Sequence, residues 1–439
     1  MTDTTITDVR ARRVWDSRGM PTVEVEVCTA GGGRGRAIAP AGASRGTREA
    51  VDLRDGGTRL GGMDVRRAVA SVTERIAPLL IGIDAAEQLE VDGALLRLDP
   101  TPLKSVLGGN ATVATSLAVM HAAAAALGRP LWQHICELTG QRPLLPLPEV
   151  QIFGGGAHAG RRVDVQDFMV MVPGAADFAE AMEITAEIYH AAGARMKAQG
   201  RLAGVADEGG WWPNFDSNEE AIETLLGAIE QAGEKPGDRV VISLDIAASE
   251  LGHDGRYKLS LDRAELDRED LIALLGRWID SYPIASIEDP LGEDDEIGMA
   301  AFTRAYGERV QIVGDDYLVT NAGLVALAAE AGACNSVLIK PNQAGTVTEA
   351  LQCFAAAEAA GFRSVVSARS GETEDVSISH LAVGLGAGQL KVGSFSRTDR
   401  TAKWNECLRI EEVLGRGAFA GGLPLARTWW GRGGGRKAR

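Results

Sequence analysis

Five short apolar runs in the second half of the chain each end on a side chain that could do chemistry: Asp245 in SLDIAASE, Glu288 in SIEDP, Asp315 in VGDDY, Lys340 in VLIKPNQ and Lys391 in QLKVGS. Three carboxylates converge only around something positive, because like charges raise each other's pKa and repel. An oxygen-only set without His or Cys suits a hard cation, Mg²⁺ before Ca²⁺ or Mn²⁺. Taken singly, each carboxylate could equally cap the helix after its strand; three in succession favour the metal. Lys340 leaves a Val-Leu-Ile run, which argues against a stem that merely reaches for solvent. Desolvation and a nearby cation would lower its pKa and make it a base. Metal, carboxylates and lysine together point to proton removal from a carbon next to a carboxylate, with the cation holding the aci-carboxylate.

These side chains need a scaffold that gathers strand ends. After residue 150, short apolar runs alternate with amphipathic helical stretches: DFMVMVP, VVISLDI, IASIEDP, VQIVGDD, SVLIKPN, SVVSARS and QLKVGS. The alternation predicts an α/β fold with a parallel barrel whose functional groups sit at the C-terminal strand ends. Residues 22–40, TVEVEVCTAGGGRGRAIAP, alternate in period two and read as a hairpin. GGGRGR is its turn; it lacks the Lys-Ser/Thr of a P-loop, and no GxGxxG follows a strand here. From Asp64 to Glu137 the spacing is helical, and His121 and His134 read as packing residues there. The proline cluster RPLLPLPEV (142–150) separates the two parts. The expected organisation is an α+β capping domain over 1–141, a barrel over 142–425, and a solvated, disordered tail over 426–439, ARTWWGRGGGRKAR.

With 45 Lys plus Arg against 60 Asp plus Glu, the net charge is -15. That excludes nucleic acid or an anionic membrane as the main partner and makes an anionic substrate depend on local cations. The N-terminal stretch has no apolar h-region, and no window approaches a membrane span of roughly 20 residues. Cys28, Cys136, Cys334, Cys353 and Cys407 form no CxxC pair, so neither a zinc site nor a disulfide framework is expected, and a reducing cytoplasm fits.

From about residue 6 to residue 415 the chain resembles enolase, the glycolytic phosphopyruvate hydratase. The resemblance is carried in order by DSRGMPTVEVEV, GASRG, LRDGG, HAGRRVDVQDFM, ADEGGWWPN, LDIAASE, SIEDP, VGDDYLVTN, LIKPNQAGT, SARSGETED, GQLKVGS and RIEE. It implies a homodimer with an N-terminal α+β cap and a modified TIM-type β/α barrel that begins with an antiparallel pair. Asp245, Glu288 and Asp315 would hold a first Mg²⁺, and Ser44 would help a second that the substrate completes. Lys340 would take the C2 proton, and Glu208, with Asp167 in the same catalytic set, would protonate the leaving hydroxyl. Arg369, Ser370, Lys391 and Gln166 would bind the substrate's phosphate and carboxylate. Ser44 and His158 would lie on loops that close over the site.

The chain departs from the enolase pattern in places that matter. Ala368 stands where enolases read histidine in SHRSGETED. Asp167 replaces a glutamate, which draws a carboxyl back by about 1.5 Å, a displacement that can cost about 10²-fold in rate. Arg45, Arg48, Arg161 and Arg162 make both closing loops basic in an acidic protein; they are either a solvated surface or a grip on a larger or more charged anion. Intact enolising residues beside altered anion-handling ones resemble the carboxyphosphonoenolpyruvate synthases of phosphonate and phosphinate natural-product pathways. The expected activity is Mg²⁺-dependent formation of an enolpyruvate ester from a 2-phosphoglycerate- or phosphoenolpyruvate-like acid and an activated phosphonoformate. The alternative is the hydratase reaction itself, 2-phosphoglycerate to phosphoenolpyruvate and water.

Overall fold

The computed structural model describes residues 3–261 and 264–434. The N-terminal part is an antiparallel sheet of β1 (Ile6–Trp15), β2 (Pro21–Thr29) and β3 (Arg34–Ile38). Its alternating valines, Val23, Val25 and Val27, are fully buried, and the helix Gly109–Ala126 packs on β2 and β3. That contact explains part of the glycine run. A Cβ on Gly35 would lie 2.1 Å from the Ala118 carbonyl, and one on Gly33 would lie 2.5 Å from that of Ala122. Gly33 and Gly35 therefore let the alanine-rich helix approach the sheet, beyond the turn expected of them.

The second part is a closed eight-stranded barrel. In chain order it holds β4 (Leu147–Gly154), β5 (Asp167–Met171) and β6 (Val241–Asp245). A small antiparallel sheet of β7 (Gly252–His253), β8 (Arg256–Leu259) and β9 (Ala264–Asp267) follows. The barrel then resumes with β10 (Ile284–Glu288), β11 (Gln311–Gly314), β12 (Ser336–Ile339), β13 (Arg363–Ser367) and β14 (Gly388–Gly393). β14 pairs with β4 and closes the ring. The strands are parallel except β5, which runs antiparallel to both β4 and β6. The uniformly parallel barrel expected from the apolar runs is corrected at β5, where the antiparallel pair implied by the enolase resemblance is present. Because β5 runs backwards, its first residue, Asp167, reaches the mouth and sits opposite Asp245, the last residue of β6.

Two further readings are corrected. The segment 142–150 is more than a separator: every residue of β4 from Leu147 is buried. The tail expected over 426–439 is folded as far as it is described. Trp430 packs with Leu147, Met171, Val241, Ala285 and Leu425. Its indole donates to the Asp238 carbonyl, and that of Trp429 donates to the Ile284 carbonyl. Two large apolar rings, each with its N–H satisfied, outweigh the surrounding Gly and Arg. Residues 435–439 lie outside the described residues. Among the described residues no single helix is long and apolar enough to cross a membrane, and all five cysteines are free.

Candidate active site

The C-terminal ends of the barrel strands and the N-terminal end of β5 deliver their charged residues into one small cavity. Lys340, Asp167, Asp245, Lys391, Glu208 and Arg369 line it, together with Ser44, His158, Gln166, Ala368 and Ser370. The enclosed space is about 20 Å³, room for roughly one water.

Lys391 is the hub of the carboxylates. Its ammonium lies 2.8 Å from Asp245 Oδ2, 2.8 Å from Glu288 Oε2 and 3.3 Å from Asp167 Oδ2. Burial opposes its charge, but Asp245, Glu288 and Asp167 together push its pKa well above the ordinary lysine value. Gln166 adds a donor to Asp245 Oδ2 at 3.1 Å. Glu288 is pushed well above the usual carboxylate range by burial and then by Asp245, against the pull of Lys391. Its Oε1 is buried without a hydrogen-bond partner.

Lys340 faces Asp315 Oδ2. Burial pushes its pKa down, Asp315 pushes it up, and the balance is upward. The upward balance is that of Lys340 facing Asp315; the lowering expected from the sequence requires a bound cation beside it. Asp315 belongs to a turn in which Asp289 accepts the backbone N–H of Asp315 at 2.9 Å and of Asp316 at 2.7 Å. Asp289 is thus a structural cap on that turn, with a left-handed φ of 40°.

The three expected metal ligands do not form one tight cluster. Among the described residues, the groups whose ligand atoms lie within 4.8 Å of one another are His158, Asp167 and Glu208, and Asp289, Asp315 and Asp316. Lys391 holds Asp245 and Glu288, and Lys340 holds Asp315. The set nonetheless suits a hard cation, since it is oxygen-only and Glu288 Oε1 is a buried acceptor lacking a hydrogen-bond donor.

His158 bridges the carboxylates on the far side. Its Nδ1 lies 3.1 Å from Asp167 Oδ1, and its Nε2 lies 3.6 Å from Glu208 Oε1. Burial favours the neutral ring, but Glu208 and Asp167 overcome it and raise the pKa from 6.5 to about 9. The folded value lies above the unfolded one. The stability His158 brings is therefore complete below about pH 6.5 and is lost as pH rises through about 9. In ¹⁵N-labelled protein its ring resonances are expected to titrate with a midpoint near 9; an ordinary histidine midpoint would show that the two carboxylates do not act on it.

Arg369 is 3% exposed. Its guanidinium holds Glu49 through Nη1 at 2.8 Å and Nη2 at 3.2 Å, and donates to the Ser44 carbonyl at 2.9 Å. A Cβ on Gly42 would fall 1.9 Å from Arg369 Nη2, so only glycine lets the loop lie there. Ser370 Oγ accepts from Ala43 N at 2.6 Å. Behind them Arg400, fully buried, donates to the carbonyls of Arg369, Ser370 and Val392.

The loop arginines are not among the residues lining the cavity. Arg161 binds the carbonyl and carboxylate of Glu250, and Arg162 donates to Asn214 at 3.1 Å. Arg45 lies 3.8 Å from Asp52. Arg48 donates to the Tyr317 carbonyl at 2.8 Å and lines a second cavity of about 250 Å³ with Thr320, Asn321 and Gln343. Sequence reasoning missed Gln151, which donates to Asp167 and, at 3.4 Å, to Glu208. It also missed Glu49 and Gln343, which hold Arg369 and Asp315. Gln343 stands within the quoted stretch LIKPNQAGT and Glu49 three residues beyond GASRG, but nothing local to them marks a role.

Residues 6–135 match the family model described as enolase, N-terminal domain, and residues 142–427 match that described as enolase, C-terminal TIM barrel domain. The chain belongs to the enolase family. An enolase-superfamily enzyme follows from both matches together, and Mg²⁺ is the usual metal of the family. In this enolase-family chain the lysines, the carboxylates and the Arg369–Ser370 pair all sit at one barrel mouth, with Ala368 among them.

Proposed function

We propose that this enolase-family enzyme removes the C2 proton of a 2-phosphoglycerate-like acid, releases its 3-hydroxyl as water, and exchanges the phosphate on the enol oxygen for the carboxyphosphonyl group of a nucleotide-activated phosphonoformate, as a carboxyphosphonoenolpyruvate synthase would. The donor's P–O bond to the nucleotide breaks, and the acid's phosphate passes to the released nucleotide. The observation that carries this reading is Ala368. It offers the cavity a methyl group beside Lys340, Arg369 and Lys391, where enolases ordinarily present a histidine. The site has kept what enolisation needs and lost a donor on its anion-handling side. The second cavity, lined by Arg48 and Gln343, would give a separate donor molecule a place.

In this reading Lys340 takes the proton from C2, and Arg369, Ser370, Lys391 and Gln166 hold the acid's anionic groups. Asp245, Glu288 and Asp315 would hold Mg²⁺, with Ser44 reaching a second ion; the cation's charge would stabilise the aci-carboxylate. Protonated His158 keeps the Asp167 and Glu208 carboxylates together beneath the mobile loop. The protein is taken to be a cytoplasmic homodimer, with neither nucleic acid nor membrane as partner.

A second reading, phosphopyruvate hydratase, is favoured by one observation. Glu208 lines the cavity beside His158, where a proton donor for a departing hydroxide belongs. Phosphorus NMR of the protein with Mg²⁺ and 2-phosphoglycerate, with and without cytidylylated phosphonoformate, separates the two. The ester reading expects a new phosphonate ester resonance only when both substrates are present. Rapid phosphoenolpyruvate formation from 2-phosphoglycerate alone would replace it with the hydratase.

A further inference from the structure

Gln343 joins three parts of the site that are distant in the chain. It lies on the short helix Pro341–Ala344, directly after Lys340, and is 2% exposed. A chain of hydrogen bonds passes through it. The Lys340 backbone N–H donates to Thr320 Oγ1 at 2.9 Å. The Thr320 hydroxyl donates to Gln343 Oε1 at 2.7 Å. Gln343 Nε2 then donates to Asp315 Oδ1 at 2.8 Å and to Glu49 Oε1 at 3.3 Å.

The polarity of this chain is fixed by its two ends. A backbone N–H can only donate, so the Thr320 oxygen accepts from Lys340. The Asp315 and Glu49 carboxylates can only accept, so they take the Gln343 NH₂ and leave its oxygen to accept the Thr320 hydroxyl proton, for which the Leu338 carbonyl at 3.4 Å is a longer alternative. The backbone is bent to achieve it: Val319 and Thr320, both β-branched, sit in succession in the left-handed region with φ of 42° and 53°. Such strain persists where the surrounding structure imposes it, commonly at functional sites.

The consequence falls on Asp315. Its Oδ1 is pinned by Gln343, which leaves Oδ2 turned to Lys340. Without that pin the carboxylate would rotate freely between Lys340 and the cavity. The same amide touches Glu49, the partner of Arg369, so the carboxylate on the metal side and the ion pair on the anion side share one donor.

We infer that Gln343, oriented by Thr320, is a positioning residue that sets the Asp315 carboxylate for a divalent cation. This rests on the Mg²⁺-dependent reading given above. Second-layer partners of this kind typically change metal affinity by about 10- to 100-fold.

The test is Mg²⁺ binding by calorimetry, with melting temperature read in EDTA and in Mg²⁺, on EDTA-stripped full-length protein without substrate. Gln343→Met keeps the bulk and removes every hydrogen bond. It is expected to bind Mg²⁺ about tenfold more weakly than the wild type. Thr320→Val, which leaves the amide oxygen without its donor, is expected to weaken binding in the same direction, and Thr320→Ser, which keeps the hydroxyl, to restore the wild-type affinity. If Gln343→Met does not fold, the Thr320 pair carries the comparison. Variants with lower melting temperatures in EDTA but unchanged Mg²⁺ affinity would overturn the inference and leave Gln343 a packing residue. A wild type that takes up no Mg²⁺ would overturn the metal reading itself.

Discussion

Lys340→Met is expected to fold and still bind Mg²⁺, but to lose about 10³-fold in turnover, within the range a positioned general base contributes. The methionine keeps the length of the stem and removes the amine that the residue after β12 presents to the cavity. The decisive measurement is exchange of the C2 proton of 2-phosphoglycerate with solvent in D₂O, followed by proton NMR, because exchange reports the enolising step in either proposed reaction. Wild-type protein should wash the proton out and the variant should not. Exchange continuing at the wild-type rate would remove Lys340 from the role of base and leave it a counter-ion for Asp315.

Lys391→Met should produce a large effect of another kind. The Lys391 ammonium lies within 3.3 Å of three carboxylates. Removing the charge leaves Asp245 and Glu288 buried without the ammonium that contacts them, while Asp167 keeps His158; deleting one member of a buried pair costs about 3–5 kcal/mol. The loss should be read by urea unfolding in EDTA. Added Mg²⁺ should recover much of it, because binding to the folded state stabilises by mass action. The variant should also bind Mg²⁺ more tightly than the wild type, having no ammonium to displace from Asp245 and Glu288. Equal stability of the two proteins in EDTA would mean that the carboxylates relax apart or take up protons, and that Lys391 is not what holds the mouth together.

The residues that ended apolar strands were legible because a strand's polar terminus at a barrel mouth has few other uses. Asp245, Glu288, Asp315, Lys340 and Lys391 could thus be named from their runs alone. The direction of β5 was not legible from its pattern, since DFMVM looks the same in either orientation when all its side chains are buried. β4 was hidden by Pro146 and Pro148, which mark turns more often than strands. Gln151, Glu49, Thr320 and Gln343 escaped because each is defined by a partner far along the chain, as Glu49 is by Arg369, 320 residues away. The loop arginines show the reverse. Their composition stood out, yet three of the four satisfy neighbours on or beside their own loops, as surface arginines commonly do, and only Arg48 lines a cavity.

The packing of Trp429 and Trp430 sets an order of events during synthesis. The strands of the capping sheet and the helix that covers them are complete by residue 126. The barrel waits for β14 to meet β4, and its floor waits for Leu425 and Trp430, which follow β14 in the chain. A chain lacking Leu425 and Trp430 would hold all eight strands, but Leu147, Met171, Val241 and Ala285 would lose the side chains that pack with them and leave an apolar floor unsealed.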